Sequence, residues 1–269
     1  MEAGGVFLDG RRCKVLSRGV HPGQRIEVNL EERGRAAEPR LKLDPSRLLF
    51  SDGHLAAVDK PAGVPAQPTL TTDRGTLPEL VSALLGAPVL PVHRLDRETS
   101  GVALFAASRV AASALAEAFR ASRPVKTYLA LTARAPAPPE GRIEAALARD
   151  PARPGLRRVV PAGDEAATRY RTLAKSPLGA LVEVWPETGR THQIRVHLAH
   201  LGAPLLGDVR YGGPRRVGEV DLPRVMLHAL RLELPHPLTG APLAFSAPVP
   251  EDFQGAAAAL VGPVRIPDP

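Results

Sequence analysis

Residues 168–185, TRYRTLAKSPLGALVEVW, decide the fold class. They contain two runs of strand-forming residues joined by a Ser-Pro-Leu-Gly turn, which predicts an antiparallel hairpin. A second hairpin is predicted from residues 226–235 and 242–247, around a Leu-Thr-Gly turn. Hairpins outnumber strand–helix–strand units along the chain. The sequence therefore predicts an α+β fold around a largely antiparallel sheet flanked by helices and loops.

The remaining elements follow from hydrophobic spacing and from capping residues. Residues 48–58 predict a further hairpin, and residues 101–107 and 125–132 predict strands. Helices are predicted at 77–85 (ended by Gly86), at 109–121 (begun by Ser108) and at 190–201 (ended by Gly202). Residues 134–165 are rich in Pro, Arg and Gly with weak periodicity, and we interpret them as a long insertion or irregular loops.

Changes in sequence texture predict three regions. Residues 1–44 form a separate segment that contains a strand running into an Asp-Gly turn, a second short strand, and a charged linker from 31 to 40. Residues 45–255 form the main domain, and residues 256–269 are interpreted as a C-terminal tail.

The chain is basic, with a formal net charge of +7 and a sequence pI of about 10.1. Such a balance favours a polyanionic partner, because Lys and Arg neutralise phosphates and release counterions. An alternative explanation is biased codon usage, since only five of the 35 basic residues are Lys. The hydrophobic fraction of 44% is sufficient for a packed core.

Targeting and redox features indicate a cytoplasmic protein. Cys13 is the single cysteine, so the chain has no internal disulfide and no cysteine-based zinc site, and we expect Cys13 to be inert. The first residues lack the basic and apolar regions of a secretory signal, and no apolar run reaches the ~20 residues of a membrane span.

Several common catalytic motifs are missing from the sequence. There is no Gly-rich phosphate loop and no G-x-S-x-G elbow, and His93–Asp96 resembles a kinase loop without the other kinase signatures. His192, His197 and His200 share one predicted helix, but no Glu accompanies them in a metalloprotease pattern. We interpret these histidines as polar helix positions or RNA contacts, and we expect no metal and no cofactor.

Two polar segments between apolar elements are candidates for a functional site. They are HRLDRETSG at 93–101 and GRTHQIRVH at 189–197. Charged residues at the ends of elements are often held in place for binding or catalysis. Solvated loops give a similar pattern, so spacing alone leaves both interpretations open.

These segments resemble the signatures of the RluA-type family of pseudouridine synthases. Further motifs occur in the order of that family, and the resemblance spans about residues 46–253: DKPAG at 59–63, KTY at 126–128, LGD at 206–208, YG at 211–212, LHA at 227–229, PHPLTG at 235–240 and APVP at 247–250. The resemblance implies a pseudouridine synthase fold and isomerisation of uridine in structured RNA, without a cofactor. Residues 5–28 resemble the second half of a small S-four-type RNA-binding domain.

The resemblance assigns three catalytic residues. Asp96 is the catalytic carboxylate, and Arg195 pairs with it. A cation beside a carboxylate favours its ionised form, which a nucleophile or base requires. Tyr128 is expected to stack against the flipped base, a contact worth ~1–3 kcal/mol.

Four further residues are assigned to substrate binding. By resemblance, Arg94 can occupy the space that the flipped base leaves, and His93 supports the loop beside the nucleophile. Arg190 is expected to hold backbone or phosphate, and Leu227 is expected to line the uracil pocket, although both fit ordinary structural roles as well.

The RNA target and the oligomeric state are predicted only in broad terms. Large-subunit ribosomal RNA is the first expectation and transfer RNA the alternative, and a monomer is the default. A noncatalytic RNA-binding or assembly protein on the same fold is a competing hypothesis, which the Asp96, Tyr128 and Arg195 set argues against. A hydrolase ranks last, because the sequence offers neither a second catalytic carboxylate nor a metal site.

Overall fold

The computed structural model describes residues 5–12, 19–29, 42–67 and 75–264. The chain divides into two compact units, Met1–Arg40 and Leu41–Pro269. Cys13 and the predicted linker at 31–40 lie outside the described residues.

The first unit contains a small antiparallel sheet. Its strands are β1 (Gly5–Leu8), β2 (Arg11–Arg12) and β3 (Ile26–Asn29), in the order β2-β1-β3. Asp9 and Gly10 join β1 to β2 with φ angles of 50° and 75°. Positive φ at both central residues is the requirement of a type I′ hairpin turn, and the Asp-Gly dipeptide meets it. The resemblance of this segment to an S-four-type domain stays a prediction.

The second unit contains the remaining described elements. Its strands are β4 (Leu48–Ser51), β5 (Leu55–Lys60), β6 (Leu90–Pro91), β7 (Ser100–Ala106), β8 (Val125–Thr132), β9 (Glu140–Glu144), β10 (Leu147–Arg149), β11 (Arg157–Val159), β12 (Ala167–Ser176), β13 (Gly179–Pro186), β14 (Arg216–Val217), β15 (Val220–Asp221), β16 (Leu227–Pro235) and β17 (Pro242–Ser246). Its α-helices are α1 (Leu77–Leu85), α2 (Arg109–Arg120), α3 (Gln193–His200) and α4 (Glu251–Val261). Single 3-10 turns occur at Pro45–Arg47 and Val209–Tyr211.

One ten-stranded sheet organises the second unit. Its main path is β4-β5-β7-β16-β8-β13-β12-β9, with β17 beside β16 and β6 beside β7. Every pairing is antiparallel except that of β7 with β16. The predicted α+β class and largely antiparallel mixed sheet are therefore confirmed, and the predicted hairpins are β4–β5, β12–β13 and β16–β17.

Helices α3 and α4 cover opposite faces of the central strands. Ile194 and Leu198 of α3 pack in a cluster with Ala130 of β8, whereas Phe253 of α4 packs in a cluster with the neighbouring Leu131. Successive side chains of a strand point to opposite faces, so β8 is buried on both sides. Within the described residues, no helix combines the length and apolarity that crossing a bilayer demands.

The predicted helix caps are present. Gly86 ends α1 in the left-handed conformation, with φ of 67°. The side chain of Ser108 accepts a hydrogen bond from the backbone N–H of Ala111 at the start of α2. Both contacts satisfy backbone groups that a helix leaves without a partner at its ends.

Two predictions from sequence texture are wrong. Residues 134–165 contain β9, which extends the main sheet, and the β10–β11 hairpin, rather than irregular loops alone. The C-terminal tail does not begin at residue 256, because α4 continues to Val261 and buries Phe253, Ala256 and Leu260. Short strands carry little periodic signal, and an Ala-rich amphipathic helix resembles a featureless apolar run.

The one parallel pairing places two site segments side by side. His228 and Ala229 of β16 align with Ser100 and Gly101 of β7, so both strands begin at the same edge. Gly101 has φ of 110°, and a Cβ atom there would overlap the carbonyl oxygen of Ala229. Only glycine fits this position, and the approach brings the loop that precedes β7 next to Leu227.

Candidate active site

A cleft of about 460 Å³ lies at this edge of the sheet. It is lined by the two polar segments, the start of β8 and the start of β16. The cleft brings together all seven residues singled out from the sequence: His93, Arg94, Asp96, Tyr128, Arg190, Arg195 and Leu227. Residues that are up to 134 positions apart in the chain therefore share one cavity.

Asp96 is bound by a guanidinium that is itself bound by a second carboxylate. Arg195 donates from Nη1 to Asp96 Oδ2 at 2.9 Å. Its Nε and Nη2 donate to Asp208 Oδ2 and Oδ1 at 2.7 and 2.8 Å. The two-pronged contact with Asp208 fixes the guanidinium plane, because both partners are planar and rigid.

Burial and charge define the electrostatics of this triad. The side chains of Arg195 and Asp208 are 7% and 1% exposed, whereas that of Asp96 is 18% exposed. Burial lowers the pKa of Arg195, but hydrogen bonds and charge from Asp208 and Asp96 outweigh it and raise the pKa above its ordinary value. Arg195 thus stays charged, and Asp96 is the carboxylate that reaches the cleft.

Tyr128 and Leu227 form the apolar wall of the cleft. Tyr128 lies on β8 and packs against two buried apolar clusters, one with Leu95 and the other with Ile194. Leu227 is 4% exposed at the start of β16. Burial raises the pKa of Tyr128, and the negative charge of Asp96 raises it further. The phenol is therefore protonated across the physiological range.

His93 holds the first polar segment in place. Its Nε2 accepts a hydrogen bond from the backbone N–H of Leu104 at 2.8 Å, and its ring stacks on Phe119 with centroids 4.8 Å apart. Burial lowers the pKa of His93 to about 4, so the ring stays neutral and can act as this acceptor. Although it was grouped with the substrate-binding residues, these contacts give His93 a supporting position.

Arg190 and Arg94 are both exposed at the cleft. Arg190 donates from Nε to the carbonyl oxygen of Glu165 at 2.9 Å, which ties the second polar segment to the chain before β12. Its backbone N–H donates to Oε1 of the buried Gln193. Arg94 forms no ion pair with any described residue.

A fully buried lysine anchors the loop that carries Asp96. Lys60 Nζ donates to the carbonyl oxygens of Pro61, Arg97 and Thr99 at 3.1, 2.9 and 2.7 Å. Burial lowers the pKa of Lys60 to about 7. The sequence contained Lys60 within the DKPAG motif, but its role was not predicted, because its partners are backbone atoms up to 39 residues away.

A second tether joins the same loop to the last helix. Arg224 binds both carboxylate oxygens of Asp252 on α4, at 2.6 and 2.9 Å. The same guanidinium donates to the carbonyl oxygen of Glu98, and the Glu98 side chain accepts from the N–H of Val225 at 3.1 Å. The segment that follows Asp96 is thus held from α4 as well as from β5.

The three histidines that the sequence placed on one helix differ in environment. His197 lies on α3, which confirms its prediction as a polar helix position, and it is fully buried, with hydrogen bonds to Thr168 Oγ1 and the carbonyl oxygen of Ala145. His200 is exposed. His192 lines the cleft, and its Nε2 lies 3.8 Å from Asp96 Oδ1. Among the described residues, no group of three potential ligands could hold a metal ion.

Lys126 was also missed as a site residue. It lies on β8, lines the cleft and donates from Nζ to the carbonyl oxygen of Thr188 at 3.1 Å. Burial lowers the pKa of Lys126 to about 8. The Lys-Thr-Tyr motif was the available signal, since it put Lys126 two residues before Tyr128.

The Asp96–Arg195 pair beside Tyr128 agrees with the class of RNA-modifying isomerase that the motifs indicated, and comparisons with known proteins show that class. A family model described as RNA pseudouridylate synthase matches residues 54–200. The chain is 37% identical to ribosomal large subunit pseudouridine synthase D of Xanthomonas campestris, covering 97% of this chain and 82% of that protein. It is 36% identical to an uncharacterised RNA pseudouridine synthase of Bacillus subtilis, covering 87% and 78% respectively.

Solved structures agree with this assignment. Human RNA pseudouridylate synthase domain containing 4 superposes with a TM-score of 0.67 at 28% identity, covering 83% of this chain and 95% of that one. The chain belongs to the RNA pseudouridine synthase family, as predicted, and the family and fold are those of an isomerase that acts on RNA uridine.

Proposed function

We propose that the protein isomerises specific uridines of large-subunit ribosomal RNA and that Asp96 is its catalytic carboxylate. The observation that carries the residue assignment is the geometry of Asp96, which reaches the cleft with one oxygen bound by Arg195. The ribosomal target is supported by two similar proteins, from Xanthomonas campestris and Pseudomonas aeruginosa, that are named ribosomal large subunit pseudouridine synthase D.

The reaction exchanges one bond for another within a single nucleotide. The bond from the sugar to ring nitrogen N1 breaks, and a bond from the same sugar carbon to ring carbon C5 forms. C5 loses a proton and N1 ends with one, so no redox partner or energy source enters the balance. Attack on the ring, attack on the sugar carbon and abstraction of a sugar proton all begin from an ionised carboxylate.

The other cleft residues receive roles that follow from their positions. Arg195 binds Asp96 and fixes its orientation, and Tyr128 stacks on the flipped uracil, which Leu227 contacts from the other strand. Arg94, Arg190 and Lys126 contribute positive charge at the rim for the phosphates of the target strand. The proposal takes the enzyme as a monomer, and a ribosomal substrate supports a cytoplasmic location.

Purified protein incubated with total bacterial RNA lacking pseudouridine tests the proposal, with pseudouridine mapped at nucleotide resolution. We expect discrete sites in large-subunit ribosomal RNA with the wild type and none with Asp96→Asn, which should still bind RNA. Sites confined to transfer RNA would overturn the proposed target. Modification by Asp96→Asn would overturn the assignment of the catalytic carboxylate, and RNA binding without modification by the wild type would favour a noncatalytic protein.

A further inference from the structure

The backbone conformation and the contacts of His192 are unusual among the described residues. It has a left-handed conformation, with φ of 58° and ψ of 18°, at the position before α3. Residues other than glycine seldom adopt this conformation, which costs of order 1–3 kcal/mol and clusters at functional sites. The turn places the imidazole between Tyr211 and Asp96.

The hydrogen-bond chain behind His192 determines which ring nitrogen carries the proton. The backbone N–H of Arg157 donates to the Tyr211 hydroxyl oxygen at 2.9 Å, and that hydroxyl lies 2.8 Å from His192 Nδ1. Among the described residues, Nδ1 is the only acceptor within hydrogen-bond distance of this hydroxyl. The hydroxyl can therefore donate to Nδ1, and in that arrangement a neutral ring carries its proton on Nε2.

The other end of the ring faces Oδ1 of Asp96, the carboxylate oxygen that Arg195 does not bind. Nε2 lies 3.8 Å from Asp96 Oδ1, while Oδ2 is occupied by Arg195. This distance is too long for a hydrogen bond, but such contacts at active sites often shorten when substrate binds. An Nε2–H is attracted to the carboxylate, whereas an Nε2 lone pair would be repelled, so both ends of the ring favour one tautomer.

We infer that His192 is a positioning residue for Asp96, which presents Nε2–H to the reactive oxygen Oδ1 because Tyr211 fixes its tautomer. The inference deepens the proposed function and rests on it for the role of Asp96. Arg195 and His192 then hold one carboxylate oxygen each, so the carboxylate cannot rotate away from the nucleotide. Tyr211 acts at a distance through the ring, while its aromatic face also lies 5.0 Å from the Arg195 guanidinium carbon.

Nitrogen-15 NMR of histidine-labelled protein tests the tautomer without any RNA. We expect the Nε2–H form for His192, assigned by its loss in His192→Asn, and a mixture of tautomers in Tyr211→Phe. Phenylalanine keeps the ring beside Arg195 and removes only the hydroxyl. An Nδ1–H form in the wild type, or an unchanged tautomer in Tyr211→Phe, would overturn the inference.

Single-turnover kinetics on the RNA found by the mapping experiment tests whether His192 affects the reaction of Asp96. His192→Asn keeps an acceptor for Tyr211 and tolerates the left-handed backbone, but it presents no donor to Asp96. We expect His192→Asn and Tyr211→Phe each to lower the rate constant by up to about tenfold, the value of one hydrogen bond, with RNA affinity unchanged. His192→Gln, which can place an amide N–H near the Nε2 position, should recover part of the rate.

The double variant His192→Asn/Tyr211→Phe separates positioning from structural support. If the hydroxyl acts through the imidazole, the double variant reacts no more slowly than His192→Asn alone. Additive losses would show that the hydroxyl matters only as the acceptor for Arg157, and would overturn the inference. A wild type that modifies no RNA but has the Nε2–H tautomer would instead overturn the proposed function and leave the hydrogen-bond chain supported.

Discussion

Arginines on the outer strands of the sheet differ from arginines at the cleft in the partners that they have. On β9 and β12, Arg142 and Arg169 both contact Glu187, at 2.8 and 3.0 Å, and Arg171 contacts Glu183 at 2.8 Å. These ion pairs neutralise the positive charge of this face locally.

Three arginines of the cleft show the opposite arrangement, whereas a fourth, Arg195, is paired with Asp96 and Asp208. Arg94, Arg120 and Arg190 line the cleft, and within the described part of the chain none of them forms an ion pair with a carboxylate. The net charge of the chain therefore does not indicate where an anion binds. Arg94, Arg120 and Arg190 are thus available to the proposed substrate, whereas a phosphate gains little from an arginine that is already neutralised.

The largest difference between the two regions is expected when one buried carboxylate is changed in each. Asp208→Asn leaves Arg195 with an incomplete partner, which should lower turnover about 100-fold and stability by roughly 3 kcal/mol. Glu183→Gln, whose partner Arg171 is 54% exposed, should leave turnover unchanged and cost at most ~1 kcal/mol. Turnover and chemical denaturation measure both variants, and equal losses of turnover would remove the distinction between the regions.

A smaller difference in turnover is expected when one tyrosine is changed in each region. Tyr128→Leu keeps apolar volume but loses the aromatic face, so turnover should fall about 30-fold, within the ~1–3 kcal/mol of a base stack. Tyr170→Leu on β12 loses a buried hydroxyl bonded to the Pro138 carbonyl oxygen and should lower stability alone. Turnover rates compared at equal folded fraction separate an effect on the reaction from an effect on stability. An unchanged rate in Tyr128→Leu would exclude Tyr128 from the reaction.

The pH dependence of RNA affinity should reveal Lys126. Its buried ammonium is charged below its pKa of about 8 and neutral above it, so affinity should weaken as pH rises from 7 to 9. The expected change is about fivefold, equivalent to one ~1 kcal/mol charge contact. Lys126→Arg stays charged over this range and should flatten the profile measured by fluorescence anisotropy. An equally steep profile in Lys126→Arg would assign the pH effect to other groups.

The smallest effect is expected in the salt dependence of binding. Arg94→Gln should reduce the slope of log affinity against log salt by about 0.7–0.9, the contribution of one phosphate contact. Arg169→Gln, which removes an arginine already paired with Glu187, should leave the slope unchanged. Equal slopes in both variants would mean that the unpaired charge of the cleft is not what RNA contacts.

The sequence predicted most of the main sheet because its hairpins are local. The turn at 176–179 and the strands beside it lie within 20 residues, so the pattern of neighbouring residues contains the pairing. Strands β10 and β11 have three residues each, too few for a period to be recognised. Helix α4 was missed because Gly255 and a run of Ala obscured its buried face.

The motifs predicted which residues lie together at the site. They did not predict the contacts that depend on how distant parts of the chain pack. Asp96 and Arg195 were named together although 99 residues separate them. Asp208 was quoted within a motif without a role, because nothing in Leu-Gly-Asp indicates that both of its oxygens face Arg195. His192 was grouped with its helical neighbours, since a left-handed backbone cannot be recognised from spacing.

The tether from α4 to the loop after Asp96 has a consequence for how the enzyme matures during synthesis. A ribosome makes the Asp96 loop long before it makes Asp252, the residue that holds Arg224 against the Glu98 carbonyl oxygen. A nascent chain that ends before α4 thus contains Asp96 but lacks one of the two tethers on the loop that follows it. This tether therefore forms only after the last helix has been made, so the loop around Asp96 reaches its full set of contacts at the end of synthesis.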